Sequence, residues 1–185
     1  MTKVLVILAE GFEELEAAAP ITILRRAKIE VTTAGLAAGA VKGARGLTFV
    51  PDTTLEAVSG QAFDAVVLPG GTMGAANLKA SALVGRVVRE SAARGALIGA
   101  ICAGPTVLGA LGLLSGKRAT SHATVREELV AAGASYLADR DVVQDGRIVT
   151  SRGAGTAVAF GLRLVNQLAG EDLAVEVAKS MMIGV

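Results

Sequence analysis

Short apolar runs rich in β-branched residues alternate along the chain with longer segments of helical periodicity. Four of these runs are predicted to be strands, at residues 4–9, 30–35, 65–68 and 97–101. Helical patterns fill most of the intervals between them. Strands that alternate with helices form largely parallel sheets with helices on both faces. The pattern therefore predicts an α/β sandwich.

Charged residues and glycines mark where the predicted helices begin and end. The first helix, at residues 13–27, opens on acidic residues and closes on Arg25 and Arg26, an order that the helix dipole favours. Gly95 and Gly133 stand where two later helices would stop. The later helices are predicted at residues 81–94, 124–132, 155–168 and 173–182.

Two segments interrupt this rhythm with hairpin patterns. Between the second and third predicted strands, glycines punctuate short apolar pieces at 41–42 and 47–50, which predicts a small β-hairpin insertion. Near the end of the chain, apolar residues flank Asp145-Gly146, the usual signature of a two-residue hairpin turn. The sequence has no internal repeat, flexible linker or charge block, so a single domain over residues 1–185 is expected.

Composition narrows the classes of function. The chain has 185 residues, 52% of them apolar, yet no run approaches the roughly 20 uncharged residues that cross a bilayer. Aromatic residues make up only 3%, so stacking platforms for nucleic-acid bases are scarce. With 18 basic and 17 acidic residues, the net charge of +1 gives no reason to expect a nucleic-acid or membrane partner. These features favour a soluble protein that handles small molecules or associates with itself.

Cysteine usage and the N-terminal pattern suggest a compartment. Because Cys102 is the single cysteine, an internal disulfide is excluded. The first residues lead directly into a predicted strand followed by acidic residues, which does not fit a secretory signal peptide. We therefore expect a reducing, cytoplasmic location, with the nucleus or mitochondrion as further sites in a eukaryote.

The most informative segment for chemistry is 99–105, Gly-Ala-Ile-Cys-Ala-Gly-Pro, where a buried strand meets a helix. Pro105 suits the first helical position, so Cys102 lies in a sharp strand-to-helix turn. Small neighbours two residues away, Ala100 and Gly104, resemble those of a nucleophile elbow. Free N–H groups and the helix dipole are expected to favour the thiolate. We interpret Cys102 as a nucleophile, with a small buried core thiol as the alternative.

Paired glycines follow the predicted strand at 65–68. Gly70 and Gly71 let the backbone approach a ligand closely. The N–H of Gly71, together with that of Ala103, would form an oxyanion hole. A tight turn without a binding role is the alternative. Phosphate binding is disfavoured, because residues 70–74 lack the glycine spacing and the Lys-Ser/Thr ending of a phosphate loop.

Glu16 lies on the first predicted helix, one turn from both Glu13 and Pro20. If its carboxylate faced the interior, burial would raise its pKa and let it exchange protons with Cys102. From the residues alone, a solvated charge on the helix face is the favoured interpretation. Glu13 and Glu14 are expected to serve the helix N-terminus.

His122 is the only histidine and stands just before a predicted helix. A Cys/His pair with Cys102 is one arrangement for nucleophilic catalysis, and a structural loop residue is the other interpretation. One cysteine and one histidine cannot supply a closed zinc site. No metal and no other cofactor are therefore expected.

Several segments together resemble the DJ-1 branch of the DJ-1/ThiJ/PfpI superfamily, over essentially the whole chain. The matching motifs are Val-Ile-Leu-Ala at 6–9, Glu-Glu-Leu-Glu at 13–16, Val-Val-Leu-Pro-Gly-Gly at 66–71, Ala-Ile-Cys-Ala-Gly-Pro at 100–105 and Thr-Ser-Arg-Gly at 150–153. Jointly they are highly specific. The resemblance implies a flavodoxin-like three-layer sandwich with a mostly parallel central sheet, and a homodimer that involves the first helix. It also implies a reactive Cys102 paired with a protonated Glu16, which reverses the interpretation from the residues alone.

The resemblance further implies an activity. Members of the family are described as glutathione-independent glyoxalases that convert methylglyoxal to lactate, as protein and nucleotide deglycases, and as redox sensors or chaperones. As a glyoxalase, Cys102 would add to the aldehyde and Glu16 would move protons through an enediol. Oxidation of Cys102 without turnover is the alternative. A peptidase or amidase built on His122 ranks last, because His122 does not directly follow Cys102 as it does in that branch.

Two departures from close relatives bear on these expectations. Those relatives carry extra cysteines where this chain has Gly43 or Ala44 and Val50, so behaviour that relies on secondary thiols should be absent. Ala154 stands where the related motif often has proline, and we expect a looser pocket wall there.

Overall fold

A seven-stranded sheet forms the centre of the computed structural model, which describes residues 1–184. The strands are β1 (Lys3–Leu8), β2 (Glu30–Gly35), β3 (Val41–Lys42), β4 (Thr48–Phe49), β5 (Thr53–Thr54), β6 (Ala65–Leu68), β7 (Leu97–Ile101), β8 (Arg118–Ala119), β9 (Ser135–Tyr136), β10 (Val142–Asp145) and β11 (Ile148–Ser151). The sheet has the order β10-β11-β7-β6-β1-β2-β5, and every pair is parallel except β10 with β11. The pairs β3–β4 and β8–β9 lie outside it.

Helices cover the sheet. They are α1 (Glu14–Arg26), α2 (Leu55–Val58), α3 (Thr72–Ala80), α4 (Ala82–Ala93), α5 (Pro105–Ala110), α6 (Arg126–Ala131), α7 (Ala157–Ala169) and α8 (Glu171–Ser180), with 3₁₀ turns at Ala123–Val125 and Ala154–Thr156. Across residues 1–184, no helix combines the length and apolar character needed to span a membrane.

Both faces of the sheet are buried under apolar side chains. Along β1, Val4, Val6 and Leu8 belong to a cluster that includes residues of α1, α7 and α8. Leu5 and Ile7 belong to a second cluster with residues of α3, α4 and α5. Successive side chains of a strand point to opposite faces, so a strand covered on both sides must be apolar throughout. This explains the continuous apolar run at the start of the sequence.

The predicted three-layer architecture with a mostly parallel central sheet is confirmed, as is the hairpin insertion, which is β3–β4. Five elements were not predicted: α2, which has four residues, α3 and the short strands β5, β8 and β9. Helix α3 consists largely of small residues and buries only three side chains or glycines, Gly74, Ala75 and Leu78, so its apolar periodicity is weak. Strands of two residues are too short to show alternation.

The second hairpin differs from its prediction by one residue. Asp145 pairs directly with Ile148, so the two turn residues are Gly146 and Arg147. Gly146 has φ 58°, which glycine adopts without steric cost at the first position of such a turn. The sequence pattern predicts the turn at Asp145-Gly146, one residue earlier.

The carboxyl ends of the central parallel strands meet at one edge of the sheet. The chain leaves β1 toward α1, which carries Glu16, and leaves β6 toward Gly70. It leaves β7 toward Cys102 and β11 toward Gly153. Ligands of open α/β sheets bind outside this edge. Topology thus brings together residues that are far apart in sequence.

Candidate active site

Cys102 occupies the predicted strand-to-helix turn. Strand β7 ends at Ile101 and α5 begins at Pro105. The backbone of Cys102 has φ 63°, a left-handed conformation that non-glycine residues rarely adopt. A side chain at Gly104 would lie 2.6 Å from the carbonyl oxygen of Leu68, so the turn requires glycine there. This strained turn presents a half-buried thiol to a cleft.

Glu16 is buried, with 1% of its surface exposed, and it faces the thiol. Glu13 caps α1 and accepts the N–H of Glu16 at 2.9 Å, which fixes the start of the helix. The N–H of Gly70 donates to Oε2 of Glu16 at 2.9 Å. The side chains of Glu16 and Cys102 are hydrogen-bonded to each other. The interpretation of Glu16 as a solvated helix-face charge is therefore wrong.

The environment of Glu16 favours its protonated form. Burial raises its pKa from 4.5 to about 7. The hydrogen bond with Cys102 opposes that rise, the charge of Glu13 adds to it, and the N–H groups of Gly70 and Ala154 oppose it. A carboxyl group with this proton affinity can both give and take a proton near neutral pH.

Cys102 cannot ionise independently of Glu16. Burial raises the pKa of Cys102 to about 12, and the charge and hydrogen bond of Glu16 act in the same direction. The N–H groups of Gly71 and Ala103 oppose them. The expected favouring of the thiolate is thus wrong in net direction, because burial and Glu16 outweigh the amides. The two groups titrate as a pair, and a thiolate near neutral pH requires that Glu16 hold the proton.

The three backbone groups predicted to bind substrate divide between two partners. The N–H groups of Gly71 and Ala103 donate to Sγ of Cys102. The N–H of Gly70 is engaged by Glu16. Gly70 also has no room for a side chain, since a Cβ there would lie 2.6 Å from both Cys102 Cβ and Glu16 Oε2. Two of the three groups therefore face the sulfur, whereas the third, Gly70, is paired with the acid.

His122 lines the same cleft but forms no dyad with the thiol in the described chain. Its Nδ1 lies 2.8 Å from the hydroxyl of Thr124, and its backbone N–H donates to the carbonyl oxygen of Cys102 at 3.0 Å. Within residues 1–184, no hydrogen bond joins its ring to Sγ. A direct catalytic role for His122 stays a prediction.

The cleft above Cys102 has a volume of about 790 Å³. Arg45, Lys79 and Glu128 line it together with Cys102 and His122. Lys79 and Glu128 form an ion pair of 2.6 Å between α3 and α6, both partly exposed. No group of three or more metal-ligating side chains occurs in the region that the structure describes.

Glu14 has a role that sequence reasoning missed. It was expected to serve the helix N-terminus, but it is buried and its Oε1 accepts the N–H groups of Arg45 at 2.7 Å and Leu47 at 3.2 Å. It thereby ties α1 to the turn between β3 and β4. These donors are main-chain groups, so the pattern of side chains in the sequence does not predict the contact.

Comparison with known proteins assigns this arrangement to a family. The DJ-1/PfpI family model matches residues 2–167. Protein dj-1beta of Drosophila melanogaster is 47% identical over 180 residues, which cover 97% of this chain and 96% of that protein. The crystal structure of Drosophila melanogaster DJ-1beta matches with a TM-score of 0.96 at 45% identity, covering 100% of this chain and 99% of the other. The chain therefore belongs to the DJ-1/PfpI family.

Another similar protein carries an activity in its name. The glutathione-independent glyoxalase DJR-1.2 of Caenorhabditis elegans is 39% identical over 163 residues, which cover 88% of this chain and 86% of that protein.

Proposed function

We propose that this protein is a cofactor-independent cysteine enzyme that converts methylglyoxal to lactate without glutathione. The observation that carries the proposal is the hydrogen-bonded pair of Cys102 and buried Glu16, with two backbone N–H groups directed at the sulfur. A nucleophile in contact with a proton carrier is what a carbonyl addition requires. The similarity to a protein named as a glutathione-independent glyoxalase supports the same substrate class.

The first step is addition of the thiol to the aldehyde. A bond forms between Sγ of Cys102 and the aldehyde carbon, and the thiol proton passes through Glu16 to the carbonyl oxygen. The product is a hemithioacetal, so the step leaves no net charge. The N–H groups of Gly71 and Ala103 stabilise the oxygen while it is negative.

Glu16 then acts as the base and afterwards as the acid. Its carboxylate removes the hydrogen from the former aldehyde carbon, and the electron pair forms an enediol with the neighbouring ketone carbon. Glu16 returns the proton to that second carbon, while the hydroxyl proton of the first carbon moves to the oxygen of the second, which gives a lactoyl thioester on Cys102. One carbon is oxidised and its neighbour reduced, so no external oxidant is needed. Water cleaves the thioester, releases lactate and restores the thiol.

Deglycase activity is a further candidate for the same residues. The cleft of about 790 Å³ is much larger than a three-carbon dicarbonyl needs, and a charged rim surrounds it. That volume suits a dicarbonyl already attached to an amine of a protein or nucleotide. Release of the unmodified amine from such an adduct, dependent on Cys102, would support this candidate.

Redox sensing, in which Cys102 is oxidised without catalytic turnover, is the alternative function. The half-buried Cys102 opens onto the cleft, so a peroxide can reach it. Oxidation proceeds through the thiolate, as carbonyl addition does, and near neutral pH that thiolate requires Glu16 to hold the proton.

We also propose that the protein is a homodimer, through a face that includes α1. Leu15 on α1 is 60% exposed, and Leu47 and Val50 of the hairpin insertion are 61% and 79% exposed. Exposed apolar side chains of this size favour burial against a second copy. Sedimentation equilibrium of wild type and Leu15→Glu tests this, with dissociation of the variant expected. A monomeric wild type would refute it.

The glyoxalase proposal is tested by lactate formation from methylglyoxal without glutathione. We expect turnover by wild type and none by Cys102→Ser or Glu16→Gln. Intact mass establishes that Cys102 is reduced in each sample. His122→Ala is the control for a Cys/His mechanism and should keep turnover. Absence of turnover by fully reduced wild type would refute the proposal and leave redox sensing as the function.

A further inference from the structure

The two walls of the cleft begin at Cys102 and meet again at an ion pair. One wall is α3, which starts two residues after Gly70, where a Cβ would lie 2.6 Å from Cβ of Cys102. The other is the segment 122–128, whose first N–H donates to the carbonyl oxygen of Cys102 at 3.0 Å. At the far ends of these walls, Nζ of Lys79 lies 2.6 Å from Oε1 of Glu128. Because both residues line the same cleft as Cys102, the pair closes the end opposite the thiol.

The cleft is longer than a free dicarbonyl. Thr72, Ala76 and Lys79 line it from α3, and their spacing places them on one face of the helix. A rise of about 1.5 Å per residue places Lys79 about 10 Å along the helix axis from Thr72. A chain of three carbons spans less than about 5 Å. A dicarbonyl attached to Cys102 therefore leaves the far part of the cleft free, and only a longer substrate reaches the ion pair.

The wall that carries Glu128 has few buried contacts. Of the six residues of α6, only Leu129 is buried. A helix with so little buried surface moves at a low cost in free energy. The ion pair is itself partly exposed, with 36% of the Lys79 side chain and 44% of the Glu128 side chain accessible, so it is weak. The pair thus holds this end of the cleft closed for most of the time and opens readily.

We propose that Lys79 and Glu128 are specificity-determining residues that gate the far end of the cleft. A free dicarbonyl reaches Cys102 while the pair is closed, whereas a dicarbonyl attached to an amine of a peptide enters when the pair opens. The open pair presents one cation and one anion. That combination suits the mixed polar groups of a peptide, because Glu128 repels the phosphates of a nucleotide. The inference rests on the proposed function for its substrates, but the gating of access to the thiol requires no turnover.

The test compares two uncharged maleimides that differ in bulk. N-ethylmaleimide is the small probe, and a maleimide attached to the N-terminus of a short uncharged peptide is the large one. Cys102 is the single cysteine, so intact mass reports its alkylation, and Cys102→Ser corrects for reaction at lysines. The measured quantity is the rate constant for the large probe divided by that for the small probe. A change in the reactivity of the thiol cancels in this ratio.

Lys79→Met removes the charge and keeps a side chain of similar length. We expect it to raise the ratio roughly two- to sixfold, because a partly exposed ion pair favours the closed state by about that factor. Glu128→Gln, alone or combined with Lys79→Met, should give a similar rise, since each variant breaks the same pair. The reversed pair, Lys79→Glu with Glu128→Lys, should restore the wild-type ratio. An unchanged ratio in Lys79→Met, or a rise that the reversed pair does not correct, would overturn the inference.

Lys3→Met is the matched control. It makes the same change of charge and breaks the ion pair of Lys3 with Glu30, in which 48% and 45% of the side chains are accessible, at the other end of the sheet. The ratio should keep its wild-type value in this variant. A rise equal to that of Lys79→Met would mean that net charge sets the ratio, and the inference would fail.

Turnover separates the gate from the proposed function. With free methylglyoxal and a methylglyoxal-modified peptide as substrates, Lys79→Met should raise the release of peptide amine relative to the formation of lactate. A raised alkylation ratio without turnover of either substrate would refute the proposed function and leave the gate intact. Turnover with an unchanged alkylation ratio would refute the gate alone.

Discussion

The two ends of the central sheet differ in whether their charged side chains are exposed or buried. At the amino ends of the strands, Lys3 and Glu30 form an ion pair of 3.8 Å in which both side chains are about half exposed. Positive φ angles at this end fall on Gly95, at 81°, and on Lys28, at 58°, whose side chain is exposed. At the carboxyl ends, Glu16 is almost fully buried, and the positive φ of 63° falls on Cys102.

The difference lies in burial, because a left-handed non-glycine residue occurs at both ends but only the carboxyl end combines it with a buried acid. A buried acid and a non-glycine residue in a left-handed conformation each cost free energy. They occur together, in contact, and at the edge where α/β sheets bind ligands. The cost is concentrated where the proposed chemistry takes place.

The largest effect is expected from filling the space between the two reactive groups. Gly70→Ala would place Cβ 2.6 Å from both Cys102 Cβ and Glu16 Oε2 and 2.8 Å from the carbonyl oxygen of Ile101. We expect a loss of about 4 kcal/mol in the free energy of unfolding and loss of turnover, because the overpacked atoms cannot move apart freely. Urea denaturation and the lactate assay measure both.

The control for that substitution is Gly95→Ala at the opposite end of the sheet. Nothing lies within 4 Å of a Cβ there, so only its φ of 81° opposes alanine. A cost of about 1 kcal/mol and unchanged turnover are expected. Equal costs for the two substitutions would show that the carboxyl end is not specially packed.

A smaller effect is expected from removing the buried charge. Since folding raises the pKa of Glu16, the folded state binds its proton more tightly than the unfolded chain does. The free energy of unfolding should therefore fall as pH rises from 4.5 to about 7. Glu16→Gln should abolish that fall, with a gain of up to roughly 3 kcal/mol above the upper pKa and little gain below the lower one. Urea denaturation across this pH range measures the gain.

Glu30→Gln is the matched substitution at the amino end. It breaks an exposed ion pair, which contributes roughly 0.5 kcal/mol with little dependence on pH in this range. A pH-independent effect of Glu16→Gln would argue against a buried acid with raised proton affinity.

The smallest effect concerns backbone strain. Cys102→Gly and Cys102→Ala both remove the thiol, but only glycine relieves the φ of 63°. The glycine variant should be more stable than the alanine variant by about 1 kcal/mol, as its backbone then matches the situation at Gly95. Thermal or urea denaturation measures the difference. Greater stability of the alanine variant would mean that the turn is not strained.

Sequence patterns predicted the architecture because the apolar runs of the strands and the motif of the turn at Cys102 are both local. Apolar runs gave the central strands, and Pro105 with small neighbours gave the turn at Cys102. The burial of Glu16 could not be obtained this way, since its helix neighbours do not reveal what packs above them. Only the resemblance to the DJ-1 branch pointed to it.

Other features of the site depend on main-chain groups brought together by the sheet. Glu16 and Gly70 lie 54 residues apart, yet the N–H of Gly70 donates to the Glu16 carboxylate. The turn held by Glu14 is a further example. Main-chain donors carry no residue signature. The raised pKa of Cys102 was not predicted either. The sequence motif indicates the amide donors that lower this pKa, but it does not indicate the burial that raises it.

The central claim is that Cys102 and Glu16 share a proton as one unit, and the rate of Cys102 alkylation by iodoacetamide against pH tests it most directly. In wild type we predict two rises, one near the first step of the pair at about 7 and another only toward about 12. Glu16→Gln should lose the rise near 7 and show a single step. Superimposable profiles for the two proteins would contradict the claim.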